Sequence, residues 1–562
     1  MPSTELSGER QSGERQTGGQ ALARSLVAQG VTTVFALPGI QLDWAFDALY
    51  DVRDQVRVIH VRHEQATAYM ADGYARSTGQ PGVCMMVPGP GLLNASAGLA
   101  TAYACSSPVV CLTGQVDSHA IDAGYGLLHE INRQHGILES LTKWSGRPLS
   151  PRAIPPLLQR AFAEVRSGRP RPVALELPPD VLQTTDDDVR PSPRGVHLRQ
   201  PPDPDLLRRA AKILQESERP VIYSGGGTLA AEAWPQLTEL AEMLEAPVVM
   251  SVDGRGALSD RDDLAHTGVS GQPLVHEADV VLAVGTRFWQ PMRVWGIAAG
   301  ARVIRIDADA SELARHGQPT IAVHADAGLA LSALRDLLDG LPRRASRRDE
   351  LRARKQAANE LLATFHPQAE FASAIRRALP DDAFIVNDLT QVTFFATVGL
   401  PIYAPRTFIG PGYQGTLGSA FATGLGVAAA NSDRAVVALA GDGGFLYGLG
   451  DLATQRQHAL PLISIIFNDQ AYGNVKRTQQ EAFGGRMLGS DLVNPDFVAL
   501  GKSFSIDAER VETADQLESA LRSALAAKRP ALIEVSTGPM SNVWPVIGPA
   551  GGIYPIALTP LK

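Results

Sequence analysis

The sequence predicts an α/β protein built from three open parallel-sheet α/β domains, and three observations predict it. The chain has 562 residues, too many for one hydrophobic core and enough for three or four domains of about 150 residues each. Short runs of Val, Ile, Leu and Met recur along it, bounded by Gly and Pro and separated by helical segments, the pattern of parallel strands buried on both faces. Two polar stretches, the first of them without periodicity, divide those runs into three sets. Apolar residues make up 44% and charged residues 20%, which is the balance of a soluble globular protein.

Taken in order, residues 1–19, MPSTELSGERQSGERQTGG, mix charge, Ser, Gln and Gly without an apolar run and read as a disordered tail. The first domain, 20–185, carries TTVFALPG, VRVIHVR, GVCMMVPGPG, SPVVCLTGQ and RPVALELPPDV as strands and strand exits. The Pro-, Asp- and Arg-rich QTTDDDVRPSPRGVHLRQPPDPD reads as a linker. A central domain, 203–341, contains PVIYSGGG, APVVMSVDG, ADVVLAVGTRF and ARVIRIDAD. Charged PRRASRRDELRARKQ follows as a bridge or solvated helix. The third domain, 365–541, holds AFIVNDLTQ, RAVVALAGDGGF, PLISIIFNDQAYG and PALIEVST, and 542–562 is read as a C-terminal tail.

Several function classes are excluded at this level. A net charge of −8 without a basic stripe is the wrong electrostatics for nucleic acid. No apolar run reaches the length of about 18 residues that a spanning helix needs, so no membrane is expected. Cys84, Cys105 and Cys111 lack metal-ligand spacing and fit buried thiols in a reducing compartment, so a cytoplasmic location is expected.

The chemistry concentrates in GDGGFLYGLGDLATQRQHALPLISIIFNDQAYG, Gly441 to Gly473. RAVVALA and PLISIIF read as strands joined by one crossover helix, so Asp442 and Asn468 leave the same sheet edge, where open α/β sheets bind ligands. Two oxygen donors there suit a hard cation such as Mg²⁺, which bridges to phosphate oxygens. Gly441, Gly443 and Gly444 let a phosphate approach backbone N–H groups at a helix start.

With this spacing, the chain resembles the acetolactate synthase-like family of thiamin-diphosphate enzymes, alongside benzoylformate decarboxylase and benzaldehyde lyase relatives, from about Gln20 to Val543. The resemblance implies pyrimidine-binding, central and diphosphate-binding domains, in that order. It implies Asp442, Asn468 and the carbonyl of Gln470 as Mg²⁺ ligands, with Ala471 and Tyr472 beside the cofactor. In VRHEQATAYMADGYAR it assigns Glu64 to the aminopyrimidine, a proton-sharing role suited to a carboxyl in an apolar pocket. In GYQGTLGSAFATGLG it assigns the Gly415 carbonyl and the wedge residue Leu417 to the cofactor's bent conformer, and in VNDLTQ it sets Asp388, Thr390 and Gln391 beside the diphosphate.

The substrate side follows from the same resemblance. Ile40 and Gln41 of LPGIQLDWAF would face the substrate, Gln41 as a neutral donor, and His129 stands where relatives carry Gln, as a general acid or base. Thr478, with Asn474 and Val475 nearby, replaces the Trp of acetolactate synthases and implies a wider pocket. The expected activity is thiamin-diphosphate- and Mg²⁺-dependent cleavage or ligation of 2-oxo acids, acyloins and aldehydes, by a homodimer or homotetramer with its site between subunits. Two alternatives stand beside it: an FAD-dependent 2-oxo acid oxidase using SGGG and GTRF of the central domain, and a non-catalytic cofactor-binding homologue.

Overall fold

Each expected apolar run becomes a strand, and most of them, such as VVLAV, are buried on both faces with no polar side to turn outward. The computed structural model describes residues 15–194, 197–340 and 344–551. The first part contains β1 (Gln16–Thr17), β2 (Thr33–Ala36), β3 (Arg57–His60), β4 (Gly82–Met86), β5 (Val109–Gly114), β6 (Trp144–Gly146), β7 (Val173–Leu177) and β8 (Thr185–Asp186). The second contains β9 (Pro220–Ser224), β10 (Val248–Met250), β11 (Ala265–His266), β12 (Val280–Val284), β13 (Arg302–Asp307) and β14 (Ile321–His324). The third contains β15 (Phe384–Asn387), β16 (Phe408–Ile409), β17 (Val436–Gly441), β18 (Leu462–Asn468), β19 (Asp507–Val511) and β20 (Ala531–Ser536).

These form three six-stranded parallel sheets, in the orders β3-β2-β4-β5-β7-β6, β11-β10-β9-β12-β13-β14 and β16-β15-β17-β18-β20-β19. Numbered within each domain, the first and third sheets share the order 2-1-3-4-6-5, whereas the central one runs 3-2-1-4-5-6. In the shared order the first and third strands lie side by side and their crossovers leave in opposite directions, which opens a crevice at their carboxyl ends. That crevice lies above β2 and β4 in one domain and above β15 and β17 in the other.

The outer domains press together through helix Glu64–Thr78 against helix Ser419–Ala430. Gly73 and Gly426 permit this, since a Cβ would stand 2.1 Å from Thr423 O and 2.0 Å from Met70 O respectively. One apolar core accordingly runs through both domains, from Phe35 and Tyr69 to Phe421 and Phe445. The central domain has its own core and is pinned by buried Arg255, which donates to the carbonyls of Thr397 at 2.6 Å and Leu400 at 2.7 Å.

Both ends depart from expectation. The supposed tail of residues 1–19 joins the fold at Gln16: β1 pairs antiparallel with β8, and Thr17 and Gln20 exchange the two bonds of a capping box. Gly18 and Gly19 read as tail residues, yet a Cβ would lie 2.2 Å from Val181 O and 2.1 Å from Trp44 O, so close packing requires them. Residues 1–14 lie outside the described residues. At the other end Trp544–Gly551 is a helix rather than a tail, and Trp544 Nε1 donates to Asn474 Oδ1 at 2.7 Å; 552–562 lie outside the described residues. The crossover after β17 is also broken, into Asp442–Phe445, a 3₁₀ run Leu446–Asp451 and Leu452–Gln457. No helix among the described residues is long and apolar enough to cross a membrane.

Candidate active site

Polar groups collect at the carboxyl edges of both outer sheets. In the third domain β17 ends at Gly441 and the neighbouring β18 at Asn468, so Asp442 and Asn468 emerge side by side. Asn494 lies between them: its Nδ2 donates to Asp442 Oδ2 at 2.7 Å and to Asn468 Oδ1 at 3.0 Å. The positive end of an amide thus sits where two oxygens converge, the place and polarity a cation would share. Asn468 cannot turn its oxygen away, because its Nδ2 donates to buried Glu534 Oε1 at 2.8 Å. Glu534 is held in turn by Arg510, 2.9 Å from its other oxygen.

Gln470, in the left-handed region at φ 54°, donates its N–H to Asn468 Oδ1 at 3.2 Å. That turn lets the chain double back, with Ala471 bridged to Asp491. Tyr472 closes over Gly443, where a Cβ would lie 2.6 Å from the ring. Burial pushes the Asp442 carboxyl up, against the lowering effect of the Gly443 N–H and Asn494. Either a proton or a cation relieves a carboxylate in that position.

Asp388, at the exit of β15, is buried and accepts from Gly418 N at 2.9 Å and Leu389 N at 2.8 Å. Burial pushes it up to about 6 despite those bonds. It pins the loop that carries Gly415, left-handed at φ 61°, and half-buried Leu417. Gly444 faces both, since a Cβ there would lie 3.0 Å from Asp388 Oδ2 and 3.2 Å from Gly418 N. Thr390 caps helix Gln391–Gly399 and packs near Gly441. Gln391 is buried and receives Arg477 Nη1 at 2.9 Å, which ties it to helix Gly473–Ala482, the helix of Asn474, Val475 and Thr478.

In the first domain Glu64 opens helix Glu64–Thr78 beyond β3, and His63 caps that helix by accepting from Gln65 N at 3.3 Å. The expected apolar pocket is not what surrounds it within one chain. Glu64 is half-buried and its Oε2 receives Asn94 Nδ2 at 3.0 Å. Gln41 also departs from expectation: it is buried, and its amide serves the chain, donating to Leu128 O at 3.0 Å and facing His129 Nδ1 at 3.0 Å. The neighbouring Ile40 is the exposed one, at 63%.

Gln41, His129 and Glu64 thus share one sheet edge, and Asp442, Asn468, Asp388 and the Gly415 loop share another. Among the described residues, no hydrogen bond or ion pair joins the Glu64 carboxylate to the second group, although the adjacent Gln65 reaches Tyr447 O at 3.5 Å.

Family models of thiamine pyrophosphate enzymes match all three domains: the N-terminal binding domain at residues 16–137, the central domain at 207–334 and the C-terminal binding domain at 388–535. The chain belongs to the thiamine pyrophosphate enzyme family. A probable 2-ketoarginine decarboxylase of Pseudomonas aeruginosa is 35% identical over 92% of this chain and 93% of its own. A probable acetolactate synthase large subunit of Methanocaldococcus jannaschii is 32% identical over 97% and 96%. Isozyme 3 of the Escherichia coli acetolactate synthase large subunit is 32% identical over 95% and 97%. The chain is therefore a thiamin-diphosphate-dependent enzyme, and both clusters fall in or beside the domains that the family uses to bind that cofactor.

The FAD alternative loses its support in the central domain. A Cβ on Gly225 would lie 2.3 Å from Gly285 O, and one on Gly227 2.5 Å from Gly285 Cα. Close packing of the SGGG turn on the GTRF turn accounts for these glycines without a flavin.

Three site residues escaped the sequence reading. Asn494 lies in a loop with no local signature. Glu176 and Glu534 each interrupt an otherwise apolar strand, a legible signal because an unpaired carboxylate is rarely buried.

Proposed function

We propose that the protein is a thiamin-diphosphate- and Mg²⁺-dependent decarboxylase and carboligase acting on 2-oxo acids or acyloins, with transfer of the acyl fragment to an aldehyde or keto acid. The observation that carries this reading is the Asn494 amide held between Asp442 Oδ2 and Asn468 Oδ1. The donor set of one carboxylate, one carboxamide and the nearby Gln470 backbone fits Mg²⁺, which binds few protein groups and leaves room for phosphate oxygens.

Thiamin diphosphate, when bound, supplies an electron sink for the carbon freed by C–C cleavage. The residues do the rest. Asp442, Asn468 and Gln470 would hold the metal, and Gly441, Gly443 and Gly444 would present backbone to the diphosphate beside Thr390, Gln391, Ala471 and Tyr472. Gly415 and Leu417 shape the cofactor's seat. Glu64 would share a proton with its pyrimidine ring, and His129, backed by Gln41, would meet the substrate. Because the Glu64 carboxylate is held by Asn94 and, among the described residues, has no hydrogen bond to the third domain, the reading makes the active unit a homodimer, alone or doubled to a tetramer, in which Glu64 serves the third domain of the partner. Exposed Leu93, Leu128, Tyr413 and Tyr447 supply apolar surface for that contact.

The test is incubation with thiamin diphosphate, Mg²⁺ and a panel of 2-oxo acids and acyloins, following CO₂, aldehydes and ligation products together. Cofactor- and Mg²⁺-dependent turnover of at least one class is expected; no turnover of any, with cofactor bound, sinks the reading.

A further inference from the structure

We infer that Arg477 is a further binding residue for the diphosphate of the cofactor, a guanidinium that meets the phosphate oxygens at the seat above β17 and turns the Gln391 amide toward them. The inference rests on the function proposed above.

The place follows from the strand order. β15, β17 and β18 lie side by side in that order, so the exits of β15 and β18 stand roughly 10 Å apart with that of β17 between them. Gln391 opens the helix beyond β15, and Arg477 lies on helix Gly473–Ala482 beyond β18. Their contact, Arg477 Nη1 to Gln391 Oε1 at 2.9 Å, therefore joins the two flanks of the β17 exit, where the turn at Gly441, Gly443 and Gly444 stands.

Arg477 is half-buried, and a cation taken partly out of water is ordinarily matched by an acid. Its hydrogen bonds go instead to the oxygens of two neutral amides, Gln391 Oε1 and Asn474 Oδ1, and among the described residues it makes no ion pair. Burial pulls the guanidinium below its ordinary value, with the Glu481 charge offsetting the fall. The Glu481 carboxylate itself takes Asn542 Nδ2 at 3.2 Å.

The same bonds orient both amides. A guanidinium only donates, so the end of Gln391 that it meets is the oxygen, and the Nε2 end has no hydrogen-bond partner among the described residues. Asn474 is fixed likewise, for its Oδ1 also accepts from Trp544 Nε1 at 2.7 Å. Arg477 thus leaves a donor free on Gln391 and keeps further N–H groups of its own, and donors are what phosphate oxygens take.

The charge of the seat calls for such a group. The segments 388–391, 410–418, 441–445 and 468–482, which carry the third-domain site residues, hold as basic residues Lys476 and Arg477. Lys476 is spent on Asp491 at 2.6 Å. One divalent ion does not cancel a diphosphate together with the Asp442 carboxylate, so negative charge remains for Arg477 to meet. A guanidinium suits this better than an ammonium because its planar fork gives two parallel bonds to one phosphate.

The test is binding, read without turnover. Isothermal titration calorimetry at saturating Mg²⁺ measures thiamin diphosphate and inorganic pyrophosphate on full-length wild type, Arg477→Gln and Arg477→Lys, with Tm recorded for each. Arg477→Gln should raise Kd for both ligands by about 10–100-fold, the size of a lost charge-assisted hydrogen bond. Arg477→Lys keeps the charge without the fork and should raise them by about 3–10-fold. At saturating cofactor the KM for 2-oxo acids should stay within about threefold in either variant. Should Arg477→Gln fail to fold, Asn474→Asp gives the same reading by setting a carboxylate against the guanidinium. Unchanged Kd for both ligands in Arg477→Gln or Asn474→Asp would overturn the inference, as would equal losses in the Gln and Lys variants with matching falls in Tm. A raised KM with unchanged Kd would overturn it too, by giving the guanidinium to a substrate carboxylate. Wild type that binds neither thiamin diphosphate nor pyrophosphate refutes the underlying function instead.

Discussion

The two outer domains share a strand order and also an internal device, and they finish it differently. In each, the sixth strand of the domain buries a glutamate: Glu176 on β7 and Glu534 on β20. Each is paired to an arginine near the neighbouring strand, Arg147 at 2.6 Å and Arg510 at 2.9 Å. Each also grips a side-chain carboxamide that faces the carboxyl edge. Gln134 gives its Nε2 to Glu176 at 3.1 Å and to Gly114 O at 3.0 Å, and its Oε1 is taken by Gly89 N. That device is closed, for both ends of the amide are used to hold the turns at Gly89 and Gly114, against which the His129 backbone and Gln41 pack. Asn468 gives its Nδ2 to Glu534 and leaves Oδ1 beside Asp442, met by Gln470 N and by the borrowed amide of Asn494. One scaffold therefore closes both ends of its carboxamide in one copy and leaves the oxygen facing Asp442 in the other, and the proposed cation seat rests on that difference.

If that division of labour holds, substitutions on the two faces should fail in different ways. Asp442→Ala should be the most damaging, abolishing Mg²⁺-dependent retention of thiamin diphosphate, because it removes the only carboxylate of the ligand set; equilibrium dialysis with a Mg²⁺ titration checks it. Unchanged affinity would remove the metal-site reading. Glu64→Gln should leave retention intact while lowering turnover by roughly 10²–10⁴-fold, the range for a lost proton-transfer group. Steady-state kinetics at saturating cofactor tests this, and loss of retention in both variants would erase the contrast.

The glutamates sharpen the comparison further. Glu534→Gln should raise the Mg²⁺ concentration for half-maximal cofactor retention by about 10–100-fold, as expected when an orienting partner of a metal ligand is lost. Glu176→Ala should act on stability, costing about 3–5 kcal/mol, because Arg147 and the Gln134 and Gln115 amides lose a shared buried partner. Denaturant unfolding compares the two. A metal effect from Glu176→Ala equal to that from Glu534→Gln would mean that the first device also serves the cation.

How much of this was legible follows from which signals are local. Most strands were, since a parallel strand buried on both faces is apolar along nearly all its length and is commonly bounded by Gly or Pro. Asp442 and Asn468 were legible because both sit at strand exits one crossover apart. Asn494 was not: it reaches the site through a loop that Leu492 N anchors to Gln470 O at 2.8 Å, a contact no short-range pattern encodes. The role of Gln41 was misjudged for a related reason. Its position was readable, but the partner that consumes its amide lies 88 residues away. The N-terminal boundary failed because glycines suggest a flexible tail unless a packed neighbour is known.

The mildest test concerns the crevice itself. Above β2 the first domain offers a neutral amide, Gln41, whereas above β15 the third offers a buried carboxyl, Asp388, pushed up to about 6. In the unfolded chain the same group titrates near the ordinary carboxyl value of about 3.8. Below both values it is protonated in either state, and above both it is ionised in either state. Between them the folded chain holds a proton that the unfolded chain has released, so stability falls as pH rises from about 4 to 6, by at most about 3 kcal/mol. Asp388→Asn keeps the shape and removes the titration. The wild-type Tm should therefore drop relative to the variant's across that window and run parallel to it above, as read by calorimetry of both proteins over the same pH series. Parallel curves throughout would mean that the bonds from Gly418 and Leu389 already meet the cost of burying the charge, and that the two crevices differ in shape but not in their response to pH.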